Sequence, residues 1–225
     1  MSTFASRAYR FYTRLTPPRV PAGVEVMNPY QDRVARGYAR QFLDRYFDDD
    51  DPRVLMLGIN PGRFGAGITG VTFTDPIALA DALGVENHLP RRHELSSVFV
   101  YRMIEAFGGP HAFYRRFFLT ALSPLGYTKG GKNLNYYDGG LLPHVTPFIV
   151  RSIEQQLAMG GRRDHAVVLG TGQNTDVLQR LNDRHGFFER IHAVEHPRFI
   201  MQYRRKRLDE FVARYLEACA AALTG

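Results

Sequence analysis

The stretch Arg53-Val54-Leu55-Met56-Leu57-Gly58-Ile59 indicates the fold class of this chain. It is a short and nearly continuous apolar run, which is the pattern of a β-strand buried on both faces. Such strands occur in parallel sheets that are covered by helices. Three further runs, at residues 117–122, 165–169 and 190–194, also have the composition of strands. The sequence therefore predicts a buried sheet of four strands.

Segments with helical periodicity separate or flank these runs along the chain. They span residues 28–48, 95–107, 147–159, 174–182 and 203–223. Strands and helices thus alternate, which is typical of an open α/β sheet. We expect a three-layer α/β/α sandwich around a central, mostly parallel, four-stranded sheet.

The chain has 225 residues, which is close to the usual size of one domain. Residues 28–225 are predicted to form this domain. Residues 1–27 contain three prolines between positions 17 and 21 and show little periodicity. They are interpreted as an N-terminal arm that lies over the domain surface, with a flexible tail as the alternative.

Composition and charge limit the possible function classes. Hydrophobic residues make up 44% and charged residues 23% of the chain, which is typical of a folded protein and excludes intrinsic disorder. A formal charge of +7 favours a polyanionic partner or substrate. Cys219 is the single cysteine, so an internal disulfide, a multi-cysteine zinc site and an iron–sulfur cluster are excluded.

The sequence also predicts where the protein is found. It contains no apolar segment of the signal-peptide type near its start and no run of ~20 apolar residues that would cross a bilayer. A single cysteine fits a reducing compartment. We expect a cytoplasmic, monomeric protein that is not secreted and has no membrane partner.

Two segments that follow predicted strands have an unusual composition. Residues 58–73, Gly-Ile-Asn-Pro-Gly-Arg-Phe-Gly-Ala-Gly-Ile-Thr-Gly-Val-Thr-Phe, are rich in glycine, but they match neither a Walker loop nor GxGxxG. Residues 195–203, Glu-His-Pro-Arg-Phe-Ile-Met-Gln-Tyr, follow the last strand. Ligands of open α/β sheets bind beyond the carboxyl ends of the strands. These two segments are therefore the predicted site.

Residues 58–73 together with Glu-His-Pro-Arg-Phe at 195–199 resemble the two active-site motifs of the uracil-DNA glycosylase superfamily. The closest resemblance is to the SMUG-type branch, the single-strand-selective monofunctional glycosylases, whose first motif has the form GxNPGxFGxxxTGxxF. The first motif matches without a gap, and the general layout agrees from about residue 29 to 216. The resemblance implies base excision repair: hydrolysis of the N-glycosidic bond of uracil and related deaminated or 5-modified bases in single- and double-stranded DNA. No cofactor and no metal are implied.

The resemblance also implies roles for individual residues. Asn60 matches the residue that positions the attacking water, and His196 matches the histidine that donates a hydrogen bond to uracil O2 as negative charge develops. Phe73 matches the aromatic residue that stacks on the flipped base. Gly62 replaces the bulky residue that excludes the 5-methyl group of thymine in other branches, so 5-substituted uracils are expected to enter. The other residues expected in the base pocket are Ile59, Phe64, Gly67, Ala121 and Asn133.

The chain departs from the family pattern at Ala121, because the family has there an asparagine that reads the edge of uracil. The replacement is expected to be a backbone group, a water or another side chain. Asn133, Asn135 and Tyr136 are the candidate side chains. A pocket without this asparagine is expected to accept deaminated purines such as xanthine or hypoxanthine.

Extruding a base from DNA requires a wedge that fills the vacated space and cationic groups that hold the phosphates. The wedge is predicted from Phe199, Ile200 and Met201, with Tyr203 as a second choice. The phosphate contacts are predicted from Arg198, Arg204, Arg205 and Lys132.

Other chemistries find no support in the sequence. No group of His, Asp and Glu residues has the spacing of a metal site, and no serine lies in a GxSxG context. A glycosylase with lyase activity requires an amine nucleophile, and the two matched motifs contain no lysine. We therefore expect a monofunctional enzyme that leaves an abasic site.

Two alternatives remain open at this stage. Ala121 favours a non-catalytic protein of the same fold that binds single-stranded or damaged DNA. A third possibility is an enzyme acting on a free nucleotide, with the glycine-rich loop as its phosphate site.

Overall fold

The computed structural model describes residues 2–224. The helices are α1 (Phe4–Thr13), α2 (Arg33–Tyr46), α3 (Ala66–Thr69), α4 (Pro76–Asp81), α5 (Leu95–Phe107), α6 (Gly109–Tyr114), α7 (Leu142–Ala158), α8 (Gln173–His185), α9 (Pro197–Tyr203) and α10 (Leu208–Leu223). The strands are β1 (Val24–Met27), β2 (Arg53–Gly58), β3 (Phe117–Ala121), β4 (Gly126–Lys129), β5 (Lys132–Leu134), β6 (Gly161–Leu169) and β7 (Arg190–Val194). Two short 3₁₀ helices span Pro29–Gln31 and Arg205–Arg207.

A parallel sheet of four strands forms the centre of the molecule, in the order β3-β2-β6-β7. Leu55 of β2 is paired with Phe118 of β3 on one side and with Ala166 of β6 on the other. Residues 54–57 of β2 are completely buried, as the continuous apolar run predicted. The predicted fold class is thereby confirmed.

Two neighbouring phenylalanines of β3 show the three layers of the sandwich. Consecutive residues of a strand point to opposite faces of the sheet. The ring of Phe117 packs 5.1 Å from that of Phe113 in α6, whereas the ring of Phe118 packs 5.1 Å from that of Phe4 in α1. Helices therefore cover both faces of the sheet.

The N-terminal segment differs from the predicted arm or tail. Helix α1 buries Phe4, Ala5, Ala8, Phe11 and Tyr12 within the hydrophobic core. These positions have the spacing of one helical face, but only ten residues show it, and the proline-rich residues that follow obscure it in the 27-residue segment as a whole. Strand β1 then pairs with β4, so this segment contributes both a helix and a strand to the fold.

A second, antiparallel sheet of β1, β4 and β5 was not predicted from the sequence. Strands β4 and β5 form a hairpin in which Lys129 pairs with Lys132. The two loop residues, Gly130 and Gly131, have φ of 54° and 68°, the left-handed conformation that the tight turn requires. The hairpin carries Asn133 to the carboxyl edge of the central sheet.

None of the helices within residues 2–224 combines the length and the apolar character that crossing a membrane requires.

Candidate functional site

A pocket lies at the carboxyl ends of β2 and β3, the location that open α/β sheets use for ligands. The residues that line it and that were selected from the sequence are Ile59, Asn60, Gly62 and Phe73 from the loop after β2, Ala121 at the end of β3, Asn133 in β5, Asn135 just after β5, and His196 and Arg198 at the start of α9. The fold thus brings the two sequence motifs together in one pocket, although more than 120 residues separate them along the chain.

The amide of Asn60 is held in one orientation by the end of β5 and the residues that follow it. Its Nδ2 donates a hydrogen bond to the carbonyl oxygen of Leu134 at 3.2 Å, and its Oδ1 accepts one from the N–H of Tyr136 at 2.9 Å. The two contacts distinguish the amide oxygen from the amide nitrogen. Oδ1 retains a second lone pair, with which it can accept a hydrogen bond from a water in the pocket.

Phe73 has an unusual backbone conformation that places its ring in the pocket. Its φ is 55°, and it is the one non-glycine residue with positive φ in the part of the chain that the structure describes. This left-handed conformation is strained for a bulky residue, and such strain is found mainly where function requires it. The centroid of the ring lies 5.8 Å from that of His196.

His196 is the N-cap residue of α9, and this position determines its tautomer. Its Nδ1 accepts a hydrogen bond from the main-chain N–H of Arg198 at 3.2 Å. Burial, with a smaller effect from Arg198, lowers the pKa of His196 to about 4. The imidazole is therefore neutral at pH 7, and its proton is on Nε2 because Nδ1 is the acceptor. The ring can donate one hydrogen bond from Nε2 to a ligand.

The sequence profile of the Uracil DNA glycosylase superfamily matches residues 45–220. The chain belongs to this superfamily. The crystal structure of wild-type SMUG2 from Pedobacter heparinus is similar over 98% of each chain, with a TM-score of 0.95 and 40% identical residues. No curated protein matches the sequence significantly. The resemblance inferred from the two motifs, including the SMUG-type branch, is confirmed.

Glu94 also lines the pocket, and the sequence analysis missed this residue. It precedes α5, and its main-chain N–H donates a hydrogen bond to Oδ2 of Asp75 at 2.8 Å. Burial and the charge of Asp75 raise the pKa of the Glu94 carboxyl, against a smaller opposite effect of Arg198. The segment His-Glu-Leu-Ser-Ser, residues 93–97, contains no motif, so no sequence signal pointed to this residue. Ser96 and Thr72 are further lining residues that were not predicted.

Of the three candidates for the missing asparagine, Asn133 and Asn135 line the pocket. Asn133 also contacts the glycine-rich loop, because its Oδ1 accepts a hydrogen bond from the N–H of Arg63 at 3.3 Å. Tyr136 is completely buried, and its hydroxyl donates to Oδ1 of Asn174 at 2.8 Å. The hydroxyl of Tyr136 therefore makes its hydrogen bond inside the protein, whereas both asparagines are in the lining of the pocket.

Two residues predicted for the base pocket, Phe64 and Gly67, do not line it. The ring of Phe64 lies in a neighbouring cleft, 4.5 Å from the guanidinium carbon of Arg63 and 3.9 Å from that of Arg92. Gly67 faces away, and a Cβ there would meet Sδ of Met27 at 2.5 Å. Gly67 lies in α3, whose first residue, Ala66, does line the pocket.

The predicted wedge is wrong for Ile200 and Met201, which are 0% and 5% exposed. Residues 197–203 form the helix α9, and these two residues lie on its inner face. Phe199 and Tyr203 are 40% and 65% exposed, and their ring centroids are 5.5 Å apart. The predicted helix over 203–223 is correspondingly divided, because Arg204 interrupts it before α10 begins at Leu208.

A basic cleft adjoins the pocket. We define it by Arg63, Arg92, His93, Lys132 and Arg198, and Glu94 and Asn133 line both the cleft and the pocket. Two of the four predicted phosphate contacts, Lys132 and Arg198, are in this cleft. Arg204 lies instead over the ring of Phe199 at 5.2 Å, and Arg205 is exposed in the following 3₁₀ helix. Arg63 and Arg92 were not predicted.

Within residues 2–224, no three His, Cys, Asp or Glu side chains are close enough to hold a metal ion.

Proposed function

We propose that this protein is a monofunctional DNA glycosylase that hydrolyses the N-glycosidic bond of uracil and of related deaminated or 5-modified bases in DNA. Membership of the uracil-DNA glycosylase superfamily and the similarity to SMUG2 support a glycosylase. The observation that carries the proposal is the convergence of Asn60, Phe73 and His196 in one pocket. These residues supply a water-orienting group, a stacking surface and a hydrogen-bond donor.

The chemistry follows from what these three groups can do. The target base leaves the DNA stack and lies against the ring of Phe73. Asn60 cannot take up a proton at neutral pH, so it acts by orienting the water that adds to C1′ of the sugar. As the bond to the base breaks, its electron pair moves into the uracil ring, and Nε2–H of His196 donates a hydrogen bond to O2 of the resulting anion.

Neutral His196 suits this role, because a hydrogen-bond donor that carries no charge stabilises the anion without first having to bind a proton. The amide of Asn60 is already fixed by its two main-chain contacts, so little reorganisation is needed when the base enters. The water loses one proton to solvent, the base anion takes one up from solvent, and the products are the free base and an abasic site.

The surface beside the pocket suits DNA. The basic cleft is placed to hold the phosphates next to the extruded nucleotide, together with Arg204 and Arg205. Phe199 is the proposed wedge and Tyr203 the second candidate, since both rings are exposed next to His196 along α9. Lys132 lines the cleft but not the pocket, and no other lysine of the described residues lines either of them, which supports a glycosylase without lyase activity.

The pocket also bears on the choice of base. Ala121 removes the family's base-reading amide, and Gly62 provides no side chain to exclude a 5-substituent. Asn133 and Asn135 are the side chains proposed to read the base edge in place of that amide. We propose that 5-substituted uracils and the deaminated purines xanthine and hypoxanthine are substrates in addition to uracil.

The proposal is tested by base release from end-labelled oligonucleotides that carry one uracil, hydroxymethyluracil, xanthine or hypoxanthine, in single and double strands. Alkali-labile sites should form with the wild type and be lost with Asn60→Ala, while the affinity of the variant for DNA is retained. If wild-type protein binds DNA in a salt-sensitive manner but releases none of these bases, the alternative, a non-catalytic DNA-binding protein, is correct.

A further inference from the structure

The carboxyl group of Glu94 faces the base pocket, and the mechanism above does not use it. Within residues 2–224 the hydrogen bonds of Glu94 are made by its main chain: N–H donates to Asp75, and C=O accepts from the N–H of Val98 at 3.1 Å. The side chain lines the same pocket as Asn60, Phe73 and His196. Its carboxyl is therefore available to a bound base.

Two glycines of the first motif provide the space for this carboxyl. A Cβ on Gly62 would lie 3.1 Å from Oε1 of Glu94, and a Cβ on Gly65 would lie 1.8 Å from Oε2. A side chain at Gly65 would displace the carboxyl from this position. The glycine-rich loop thus accommodates an acidic group beside the base, in addition to supplying Asn60.

The charges around Glu94 act on its pKa in opposite directions. Asp75 lies behind it at the start of α4, and burial acts in the same direction. The cations of the basic cleft act in the opposite direction, and Arg198 is the one among them with a resolved effect. The groups that face the carboxyl across the pocket and the cleft are His196, Arg198, Arg63, Arg92, His93 and Lys132. The net result is a raised pKa, so at a given pH more of this carboxyl is protonated than of a free glutamate, and the protonated form can act as a donor.

We propose that Glu94 is a general acid that is specific for deaminated purines and that donates its proton to N7 of the base. This inference rests on the proposed function, since it assigns a residue to one class of its substrates. Uracil offers its acceptors at O2 and O4 and has no basic ring nitrogen once it is attached to the sugar. A purine has an in-plane lone pair on N7 that a neighbouring carboxylic acid can protonate, and this aids departure of the purine. Uracil has no such nitrogen, so its departure does not require the acid.

The step is balanced as follows. The proton of the Glu94 carboxyl moves to N7 while the bond between C1′ and N9 breaks, and the electron pair of that bond enters the purine ring. The base leaves neutral, and Glu94 becomes a carboxylate. The water oriented by Asn60 adds to C1′ and releases one proton, and a proton from solvent restores Glu94. No other reactant is needed.

The experiment compares single-turnover release of hypoxanthine and uracil from the same single-stranded sequence, so that base pairing does not contribute. Glu94→Gln has nearly the same shape and retains an N–H donor but has no acidic proton. Glu105→Gln, an exposed position on α5, is the matched control. We expect Glu94→Gln to lower hypoxanthine release by about 100-fold or more, and at least about 30-fold more than it lowers uracil release, whereas Glu105→Gln should change either rate by less than about threefold.

A second variant tests the same assignment without altering the carboxyl. Gly65→Ala should displace Glu94 and reproduce the selective loss of hypoxanthine release. The pH profile gives a third measurement: wild-type hypoxanthine release should fall as the pH rises through the pKa of Glu94, and the remaining rate of Glu94→Gln should lack this dependence. A merely structural role of Glu94 would lower both release rates and leave both pH profiles parallel.

The outcomes distinguish failure of this inference from failure of the proposed function. If wild-type protein releases uracil in an Asn60-dependent manner, but Glu94→Gln lowers both rates equally or neither, Glu94 is not a purine-specific acid. Release of uracil but of neither hypoxanthine nor xanthine by the wild type would overturn this inference and the deaminated-purine part of the proposed function, but not the uracil glycosylase. If no base is released at all, the proposed function is wrong, and the role of Glu94 with it.

Discussion

The ring of Phe73 occupies the space that a side chain on Gly58 would need. A Cβ on Gly58, the last residue of β2, would lie 2.6 Å from Cε2 and 2.7 Å from Cζ of that ring. Atoms in protein interiors do not approach so closely without moving. The ring of Phe73 therefore packs directly on Gly58 at the end of the buried strand. The left-handed backbone of Phe73 orients the ring into the pocket.

Gly58→Ala is expected to displace the ring and to lower the rate of uracil release by about 5- to 150-fold, because stacking contributes roughly 1 to 3 kcal/mol per base. The measurement is single-turnover release from a uracil-containing oligonucleotide, with thermal unfolding recorded in parallel. Gly37→Ala is the matched control, since no atom lies within 4 Å of a Cβ at this position in α2. An unchanged release rate in Gly58→Ala would show that the ring does not support the base.

His196→Ala is expected to reduce uracil release by about 100- to 1000-fold, because loss of one such donor costs roughly 2.7 to 4 kcal/mol. Affinity for DNA should change little, since the hydrogen bond forms mainly as charge develops in the transition state. Rates under single-turnover conditions and binding by fluorescence anisotropy separate the two quantities. Equal losses of rate and affinity would assign His196 to substrate binding instead.

The low pKa of His196 predicts an effect on stability with a definite sign. The folded protein keeps this ring neutral down to about pH 4, whereas the unfolded chain protonates it near pH 6.5. Between about pH 6.5 and 4 the unfolded state therefore binds more protons at His196 than the folded state does. Titration of His196 thus lowers the free energy of unfolding as the pH falls through this range, by about 3 kcal/mol in total.

Denaturant unfolding of wild type and His196→Gln at several pH values across this range checks this prediction. The free energy of unfolding of the wild type should decline more steeply toward low pH than that of the variant. Acidic residues titrate in both proteins and cancel in the difference. Parallel curves would mean that the ring is protonated in the folded protein as easily as in the unfolded chain.

The sequence predicted the central sheet and most of the pocket, because both depend on local patterns. The continuous apolar run at residues 53–59 is typical of a buried strand. Asn60 and His196 each lie two residues after a strand of the parallel sheet, so both are at its carboxyl edge. The segment 199–201 was misinterpreted because its apolar residues were read without their helical spacing, and only Phe199 points outward.

Glu94 shows what the sequence does not contain. Its place in the pocket depends on Gly62 and Gly65, which are about thirty residues away along the chain and provide the space for its carboxyl. No periodicity or motif in the sequence predicts this contact between Glu94 and the two glycines. Asn133 differs in this respect, because the sequence analysis named it for the pocket, but the sheet of β1, β4 and β5 that carries it there was not predicted.

The exposed aromatic ring of Phe199 leads to a prediction that separates single from double strands. In a duplex, extruding a base leaves a gap in the stack and breaks a base pair, at a cost of a few kcal/mol. A ring that fills this gap offsets part of the cost. In a single strand there is no such duplex stack, so the same ring has less to contribute.

Phe199→Ala is therefore expected to lower uracil release from a duplex by about tenfold and release from the same single strand by less than about threefold. Tyr203→Ala, tested in parallel, shows whether the neighbouring ring shares this role, since the two centroids are 5.5 Å apart. Val34→Ala, an exposed apolar residue on α2, is the control for removing surface side chains. If Phe199→Ala lowered the rate of uracil release equally on both substrates, Phe199 would not act as a wedge but in general binding of the strand. A ring that fills the gap in a duplex should affect a paired base more than an unpaired one.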